Sequence, residues 1–363
     1  MSRVLFILKK RQPHYGFDVD PSYDITLSSG LYNSCRFVCD LLKSEQVESK
    51  VAVVVDNNDI DRVVSQYKPT HVIIEALWVV PEKFDILKKL HPRVKWIIRL
   101  HSNSPFIACE GIAFDWINGY LARELTIAAN HAHMYDELRA VFPQHQRNII
   151  YLPNYYPLEK RVPFFSERYA NIKHRIKFLL KGKRHLDVGC FGAVRPLKNQ
   201  FQQAIAAIEF ANNHGWHLRF HINAGRVERG DEVLKNLRAL FKHSRHELIE
   251  HGWLPHADFL RLLRTMDISL QVSFTETFNI VSADAVGLGV PIVVSKQVDW
   301  ACRAFQADPN NASDIAAKMR EALHSRIGTF LNYWGLSCYN RMSAKVWCRY
   351  FHGKVAKKDK SCL

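Results

Sequence analysis

Short apolar strands alternate with helical stretches twice along the chain, and this pattern constrains the fold more than any other feature. In the first half the predicted strands are 4–8, 51–55, 71–75, 96–100, 119–121 and 149–152. In the second half they are 186–191, 218–223, 248–251, 268–272 and 291–295. Apolar strands joined by helices are typical of parallel sheets covered on both faces. The sequence therefore predicts an α/β protein with two Rossmann-like domains.

The alternation is interrupted once, by a basic segment. Between residues 160 and 184 nine Lys and Arg residues accompany a single acid, Glu167. We expect a first domain at 1–158, a basic linker at 159–185 and a second domain at 186–311. Residues 312–363 are expected to form helices that pack back toward the first domain.

Two loops that follow strands of the second half carry residues suited to binding an anion. In open parallel sheets, ligands bind beyond the carboxyl ends of the strands. Gly192, Arg195 and Lys198 follow the strand 186–191, where two cations can neutralise a diphosphate. Taken alone, the same residues are equally compatible with an ordinary solvated loop.

The second loop follows the strand 268–272 and leads into a helix predicted to begin near Thr277. Free N–H groups at a helix start favour a bound anion. Glu276 precedes this helix, and Asp284 comes eight residues later, a separation of about 12 Å if all eight are helical. The two carboxylates could hold the sugar and the ribose of an extended ligand. The alternative is a helix-start acid and a solvated acid.

Taken together, these residues resemble the nucleotide-sugar signature of GT-B glycosyltransferases, and most closely the large retaining family four. The match comprises Glu276, Phe278, Asn279, Asp284 and a Gly-x-Pro strand at 289–292. Asn279 replaces the family's Gly, which implies a reshaped anion loop. Asp284 replaces a Glu that holds the ribose. The resemblance implies that Arg195, Lys198 and the helix amides bind the diphosphate, while Glu276 orients the sugar.

The resemblance extends more loosely to other segments. Gly30 lies where the family has a Gly-rich loop, and Leu254 lies near the family's site for the donor base. His101 resembles a strand-end His that contacts the donor sugar, although a structural loop histidine is the competing interpretation. The implied architecture is a GT-B fold with an interdomain cleft. The first domain would bind the acceptor and the second the nucleotide-sugar.

The family implies a retaining transfer from a UDP-sugar without a metal or other cofactor. The catalytic residues would be Glu276, Arg195, Lys198 and His101. The donor-binding residues would be Gly30, Gly192, Leu254, Thr277, Phe278, Asn279 and Asp284. A non-catalytic sugar-nucleotide-binding protein is the alternative, and the intact set Arg195, Lys198 and Glu276 argues against it.

Charge and composition bear on the acceptor. The formal charge is +15, from 50 Lys and Arg against 35 Asp and Glu, which favours polyanionic partners. One hypothesis is double-stranded phage DNA with hydroxymethylated pyrimidines, contacted by Lys9, Lys10 and Arg11. The rival is a lipopolysaccharide or polysaccharide acceptor at an anionic membrane. The aromatic residues Trp334, Trp347, Tyr350 and Phe351 would dock there, or pack in a core.

Several other function classes have little support. Asp18 and Asp20 form a DxD pattern, but in the first loop, so we interpret it as a solvated turn and not as a metal site. HExxH, GxSxG and Walker patterns do not occur. No apolar run reaches the roughly 18 residues of a membrane span, and the N-terminus reads as a strand. We therefore expect a cytoplasmic protein.

Overall fold

The computed structural model describes residues 2–10, 30–158, 185–325 and 327–352. The chain forms two compact units, one of residues 1–157 with 339–363 and one of residues 158–338. Four features discussed above lie outside the described residues. These are Arg11, the Asp18–Asp20 pattern, the basic residues 160–184 and the terminal residues 353–363.

The first unit is built on a parallel six-stranded sheet. Its strands are β1 Arg3–Lys9, β2 Glu48–Val54, β3 His71–Glu75, β4 Lys95–Leu100, β5 Thr126–Ala129 and β6 Ile149–Tyr151, in the order β2-β1-β3-β4-β5-β6. Its helices are α1 Gly30–Ser44, α2 Asp59–Tyr67, α3 Lys83–Leu90, α4 Ser104–Ile107, α5 Ala113–Ala122 and α6 Ala132–Val141. Residues 4–8 of β1 are buried throughout, because helices cover both faces of the sheet.

The second unit repeats this plan. Its strands are β7 His185–Val194, β8 His217–Val227, β9 Glu247–His251, β10 Ile268–Gln271, β11 Ile292–Ser295 and β12 Gln306–Ala307, in the order β12-β11-β10-β7-β8-β9. Its helices are α7 Gln200–Asn213, α8 Asp231–Lys242, α9 His256–Arg264, α10 Ile280–Gly287 and α11 Ala312–His324. The pairs of neighbouring strands are parallel in both sheets, which confirms the predicted α/β class with two Rossmann-like sheets.

One predicted strand was wrong. Residues 119–121 belong to helix α5, in which Ala113, Ile117, Tyr120 and Leu121 are buried at helical spacing. The strand at this place in the order is β5, Thr126–Ala129, whose last three residues are buried. The short apolar run at 119–121 is the last turn of an amphipathic helix, and its periodicity is visible only over the longer window.

The C-terminal helices divide between the two units. Helix α11 packs against α7 of the second unit, with Ile315 and Met319 fully buried. Helix α12, Gly328–His352, belongs to the second unit up to Cys338 and to the first unit from Tyr339. The sequence predicts that the helices of residues 312–363 pack back toward the first domain, whereas α11 is an integral part of the second unit.

The aromatic residues near the C-terminus differ in burial. Trp347 and Phe351 are 0% and 7% exposed and pack against Phe6 and other core residues of the first unit. They are core residues, so the docking role considered for them is wrong. Trp334 differs, with 55% of its surface exposed.

Candidate functional site

The strand order of the second sheet creates a topological switch point. From β7 the chain continues to β8 and β9 on one side, and from β10 it continues to β11 and β12 on the other. Strands β7 and β10 are neighbours, so the connections that follow them diverge in opposite directions. A crevice at such a point is where open parallel sheets bind ligands. The loops 192–199 and 272–279 lie at this edge.

Hydrogen bonds hold the two loops together. The backbone N–H of Phe274 donates to the carbonyl of Leu197 at 3.0 Å. The side chain of Asn199 donates to the carbonyl of Val272 at 3.1 Å, and that of Gln271 donates to the carbonyl of Phe191 at 2.9 Å. Because buried amides link the loops, the side chains that they carry keep a fixed relative position.

The central contact of this site is an ion pair between Lys198 and Glu276, one from each loop. Their side chains are 13% and 10% exposed, so the pair is mostly shielded from water. Burial alone would raise the pKa of Glu276, but the charges of Lys198 and Arg195 outweigh this effect and hold the pKa below its ordinary value. Glu276 is therefore an anion at neutral pH and accepts hydrogen bonds.

Arg195 lies beside this pair and supplies the second cation. Its Nη1 is 3.4 Å from Oε2 of Glu228, which lies just beyond the end of β8. Gly192 lies near the end of β7, where the register with β8 shifts, and has φ at +114°, a backbone conformation that only glycine adopts without strain. Its N–H donates to Oδ1 of Asn223 at 3.0 Å. The predicted tight turn at Gly192 is instead an irregularity of β7, and the strand ends at Val194, directly before the loop that carries both cations.

Helix α10 begins later than the sequence indicated. Its first residue is Ile280, and Asn279 is the N-cap. Asn279 has φ at +63° and accepts a hydrogen bond from the N–H of Ser282 at 2.8 Å. The family resemblance has Gly at this position, and Asn is one of the few residues that also adopt this conformation. Glu276 is therefore outside the helix, and the 12 Å estimate of its distance from Asp284 does not hold.

Asp284 is a buried residue of α10. It is 1% exposed, and its Oδ1 lies 3.0 Å from Nε2 of His256, the first residue of α9. This contact joins α10 to the loop that contains Leu254, which is half-buried. Thr277 is half-buried as well. Phe278 is buried against Trp300, whose indole N–H donates to the Phe278 carbonyl at 2.8 Å.

The first unit has its own cluster of charged residues at the carboxyl edge of its sheet. Glu75 ends β3, Arg99 is near the end of β4, and both side chains are fully buried. Arg99 Nη1 donates to both carboxylate oxygens of Glu75, at 3.2 and 3.3 Å. Burial alone would raise the pKa of Glu75, but Arg99 and His101 outweigh this effect and lower it. Glu75 is therefore ionised.

His101 is part of this cluster. Its Nε2 contacts Glu75, and its Nδ1 lies 3.3 Å from Nδ2 of Asn130. Burial lowers the pKa of His101 and favours the neutral ring. A neutral ring that donates from Nε2 and accepts at Nδ1 satisfies both contacts. In the structure His101 therefore contacts Glu75. The predicted contact of His101 with a donor sugar stays a prediction.

Arg99 also fixes the backbone that follows β6. Its guanidinium donates to the carbonyls of Leu152 and Pro153, both at 3.1 Å, and to Oδ1 of Asn154 at 2.9 Å. It lies over the ring of Trp347, 5.3 Å from the ring centroid. One buried cation therefore organises β3, β4, the segment after β6 and helix α12.

Three further predicted residues lie at the same edge of the first sheet. Gly30 is exposed and begins α1. Lys9 and Lys10 are exposed at the end of β1, and the N–H of Lys10 donates to the carbonyl of Val54 at 2.6 Å. These three residues share the first unit with His101. Gly192, Arg195, Lys198, Leu254, Glu276, Thr277, Phe278, Asn279 and Asp284 belong to the second unit.

Four charged or ionisable residues of these clusters are not among those that the sequence predicts for the site: Glu75, Arg99, Glu228 and His256. Glu75 and Arg99 are partners in the register of β3 and β4, so pairing the two consecutive strands would have brought them together. Glu228 lies in a connection whose course the sequence pattern does not specify, and His256 is the first residue of α9, where helix ends are hard to predict. Within residues 2–10, 30–158, 185–325 and 327–352 no group of three His, Cys, Asp or Glu side chains could hold a metal ion. In these same ranges no helix combines the length and apolar character of a membrane span.

No protein-family model matches the chain, and no curated protein matches its sequence. Solved structures do match over nearly the whole chain. A UDP-forming α,α-trehalose-phosphate synthase from Burkholderia vietnamiensis is 11% identical with a TM-score of 0.62, covering 98% of this chain and 97% of that one. The N-terminal domain of Candida albicans trehalose-6-phosphate phosphatase is 12% identical with a TM-score of 0.66 and the same coverage. Anabaena HepE, solved with UDP and glucose, is 13% identical with a TM-score of 0.58, covering 99% and 100%.

The chain has the GT-B fold. This confirms the fold class that the resemblance implied. At 11–13% identity the likeness concerns the fold, and the chemistry depends on the residues of this chain.

Proposed function

We propose that this protein is a metal-independent, retaining glycosyltransferase that uses a nucleotide-sugar, a UDP-sugar, as donor. The observation that carries the proposal is the meeting of Arg195, Lys198 and Glu276 at the switch point of the second sheet. Two cations at a shielded edge suit a diphosphate, and an ionised carboxylate beside them suits sugar hydroxyls. The structure of HepE with UDP and glucose supports this class of donor.

The proposed chemistry needs the protein chiefly to stabilise the leaving group. The bond between the anomeric carbon and the diphosphate oxygen breaks, and a bond from that carbon to the acceptor oxygen forms on the same face. The acceptor proton passes to the departing diphosphate. Arg195, Lys198 and the amides at the start of α10 stabilise the added negative charge.

Glu276 orients the donor sugar in this proposal. Its low pKa keeps it an acceptor for hydroxyl hydrogen bonds. The contact with Lys198 restrains its side chain, which lowers the entropic cost of fixing the sugar. Asp284 is 1% exposed and contacts His256, and its contact with a ribose stays a prediction.

The donor is identified by a thermal-shift screen of nucleotide sugars, followed by an assay for release of the nucleoside diphosphate. We expect one donor to raise the melting temperature and to be hydrolysed slowly without acceptor, which excludes a non-catalytic binding protein. Activity should persist in EDTA. Strict dependence on Mg²⁺ or Mn²⁺ would contradict metal-independent transfer, and an inverted product would contradict retention.

For the acceptor, we propose double-stranded phage DNA that carries hydroxymethylated pyrimidines. The formal charge of +15 and the exposed Lys9 and Lys10 support an acceptor with phosphates. Mass spectrometry of hydroxymethylated DNA after incubation with the donor should show one added sugar per modified base. A gel shift with duplex DNA should weaken steeply with salt.

Unmodified DNA is the matched control for transfer. If the DNA gains no sugar and the protein instead floats with anionic liposomes, the DNA acceptor is wrong and a lipopolysaccharide or polysaccharide acceptor at a membrane takes its place. The exposed Trp334 is the observation that favours this second candidate.

A further inference from the structure

A further charged residue of the second unit, Glu228, bridges two arginines at the edge of the candidate site. Its Oε2 lies 3.4 Å from Nη1 of Arg195. Its Oε1 accepts from Nε of Arg226 at 2.7 Å and also from Nη2. The side chains of Arg195, Glu228 and Arg226 are 27%, 26% and 21% exposed, so a ligand can reach them from solvent. Arg195, a predicted diphosphate ligand, is thus already held by an anion.

The backbone fixes Glu228 in this place. Its N–H donates to the carbonyl of Val194 at 2.9 Å. At Gly230 an added Cβ would come within 2.4 Å of the same carbonyl oxygen, so the segment 228–230 is pressed against the end of β7. The carboxylate therefore cannot move away with its backbone when a ligand arrives, and only side chains are able to rearrange.

Arg226 is fixed on its other side. Its guanidinium lies over the indole of Trp253, 4.8 Å from the ring centroid. At Gly225 an added Cβ would lie 2.7 Å from the backbone nitrogen of Trp253, which holds the two segments in close contact. Of the two arginines, Arg226 is therefore the anchored partner of Glu228, and Arg195 is the one whose predicted ligand is external.

We propose that Glu228 is a built-in competitor that pairs with Arg195 when the site is empty and so weakens the binding of nucleoside diphosphates. The inference rests on the proposed function, because it takes the diphosphate to be the external ligand of Arg195. When the diphosphate binds, Arg195 exchanges Glu228 for phosphate oxygens. Arg226 continues to neutralise Glu228, which avoids the cost of an uncompensated carboxylate.

The exchange of partners by Arg195 would also affect release of the product. Arg195 and Lys198 attract the nucleoside diphosphate product as well as the donor, and a tightly held product slows release. A nearby anion that takes Arg195 back favours departure of the product. Glu228 would thus set the balance between holding the donor and releasing the diphosphate.

The test is titration calorimetry of UDP and of inorganic pyrophosphate with the full chain. Glu228→Gln should bind both ligands about three- to tenfold more tightly, because Arg195 loses its competing partner. Arg226→Met should bind both more weakly by a similar factor, because Glu228 then depends more on Arg195. Pyrophosphate has no base, so it separates this effect from any contact of a base near Trp253.

The matched control is Glu250→Gln. Glu250 pairs with Arg238 of α8, at 2.7 Å, and its loss should leave both affinities unchanged. Equal or weaker binding by Glu228→Gln would overturn the inference and make Glu228 a residue that positions Arg195. Failure of the unmodified protein to bind either ligand would instead contradict the proposed function.

Discussion

The carboxyl edges of the two sheets each carry a buried ion pair, Lys198 with Glu276 in the second unit and Arg99 with Glu75 in the first. The second-unit pair retains 10–13% exposure and lies on two loops that diverge from a switch point. The first-unit pair has no exposure and lies on two adjacent strands, with further hydrogen bonds to the backbone after β6. The second-unit pair is within reach of a ligand, and the first-unit pair is enclosed by the protein.

This difference separates the proposed binding site from a structural cluster that also pairs a cation with a glutamate. A cation on a loop at a sheet edge can exchange its partner for an external anion. A cation with five hydrogen bonds inside the core cannot do so without leaving buried groups unsatisfied. Changes to the first pair should therefore affect folding, and changes to the second should affect ligand binding and turnover.

The largest expected effect comes from Arg99→Met. It leaves the ionised carboxylate of Glu75 buried without its guanidinium, which should lower the free energy of unfolding by about 3–5 kcal/mol. Urea unfolding followed by circular dichroism measures the change. The double variant Arg99→Met with Glu75→Leu should recover much of the loss, because it removes both buried charges. A single variant as stable as the unmodified protein would contradict the structural role of this pair.

Glu276→Gln should have the next largest effect, and on activity instead of stability. Loss of the ionised carboxylate should reduce sugar transfer about 10²- to 10³-fold. The free energy of unfolding should fall by about 1 kcal/mol, less than for Arg99→Met, because the pair retains contact with solvent. The rate of sugar transfer and the urea midpoint, measured on the same preparation, give the changes in activity and in stability. Glu321→Gln, from an exposed Lys–Glu pair on α11, is the control.

Whether the two ion pairs could be predicted from the sequence depends on where their residues lie. Arg195, Lys198 and Glu276 follow apolar strands and match a motif order, so their convergence was predictable from the rule that parallel strands end at one edge. Glu75 is the last residue of the run His71–Glu75, Arg99 is the last but one of the run Lys95–Leu100, and both look like ordinary strand ends. They come together only when β3 and β4 are paired in register, a step beyond identifying the strands one by one.

Other differences have equally local causes. Asn279 was expected to reshape the anion loop, and in the structure it adopts the left-handed conformation and caps α10 itself. Asp284 was placed by helical spacing, which assumed that the helix began near Thr277. The cap at Asn279 shifts that start by three residues, and helix ends are what sequence patterns fix least well.

The smallest expected effect is a loss of stability at acidic pH that comes from His71 in the first unit. Burial, aided by the charge of Lys95, lowers the pKa of His71 to about 4. As pH falls below the ordinary value of about 6.5, the unfolded chain takes up a proton that folded His71 does not. Stability present above pH 6.5 is therefore lost progressively down to about pH 4, by about 1 kcal/mol for this half-buried ring.

In the variant His71→Phe the stability should fall less between pH 7 and pH 4. Urea midpoints measured across this pH range test this. His324→Phe changes an exposed histidine of α11 in the second unit and serves as the control. An unchanged slope in His71→Phe would show that the acid sensitivity comes from another group.

The measurement that tests the account most directly is the affinity of Lys198→Met for UDP, determined by calorimetry beside the unmodified protein and Lys318→Met. Lys318 also pairs with a glutamate in the second unit, with Nζ 2.9 Å from Oε2 of Glu321, so it matches the change in charge. Loss of a charge-assisted contact to the diphosphate should weaken UDP binding by about tenfold or more in Lys198→Met, with no change in Lys318→Met. Equal affinities in all three proteins would contradict the assignment of this sheet edge as the diphosphate site.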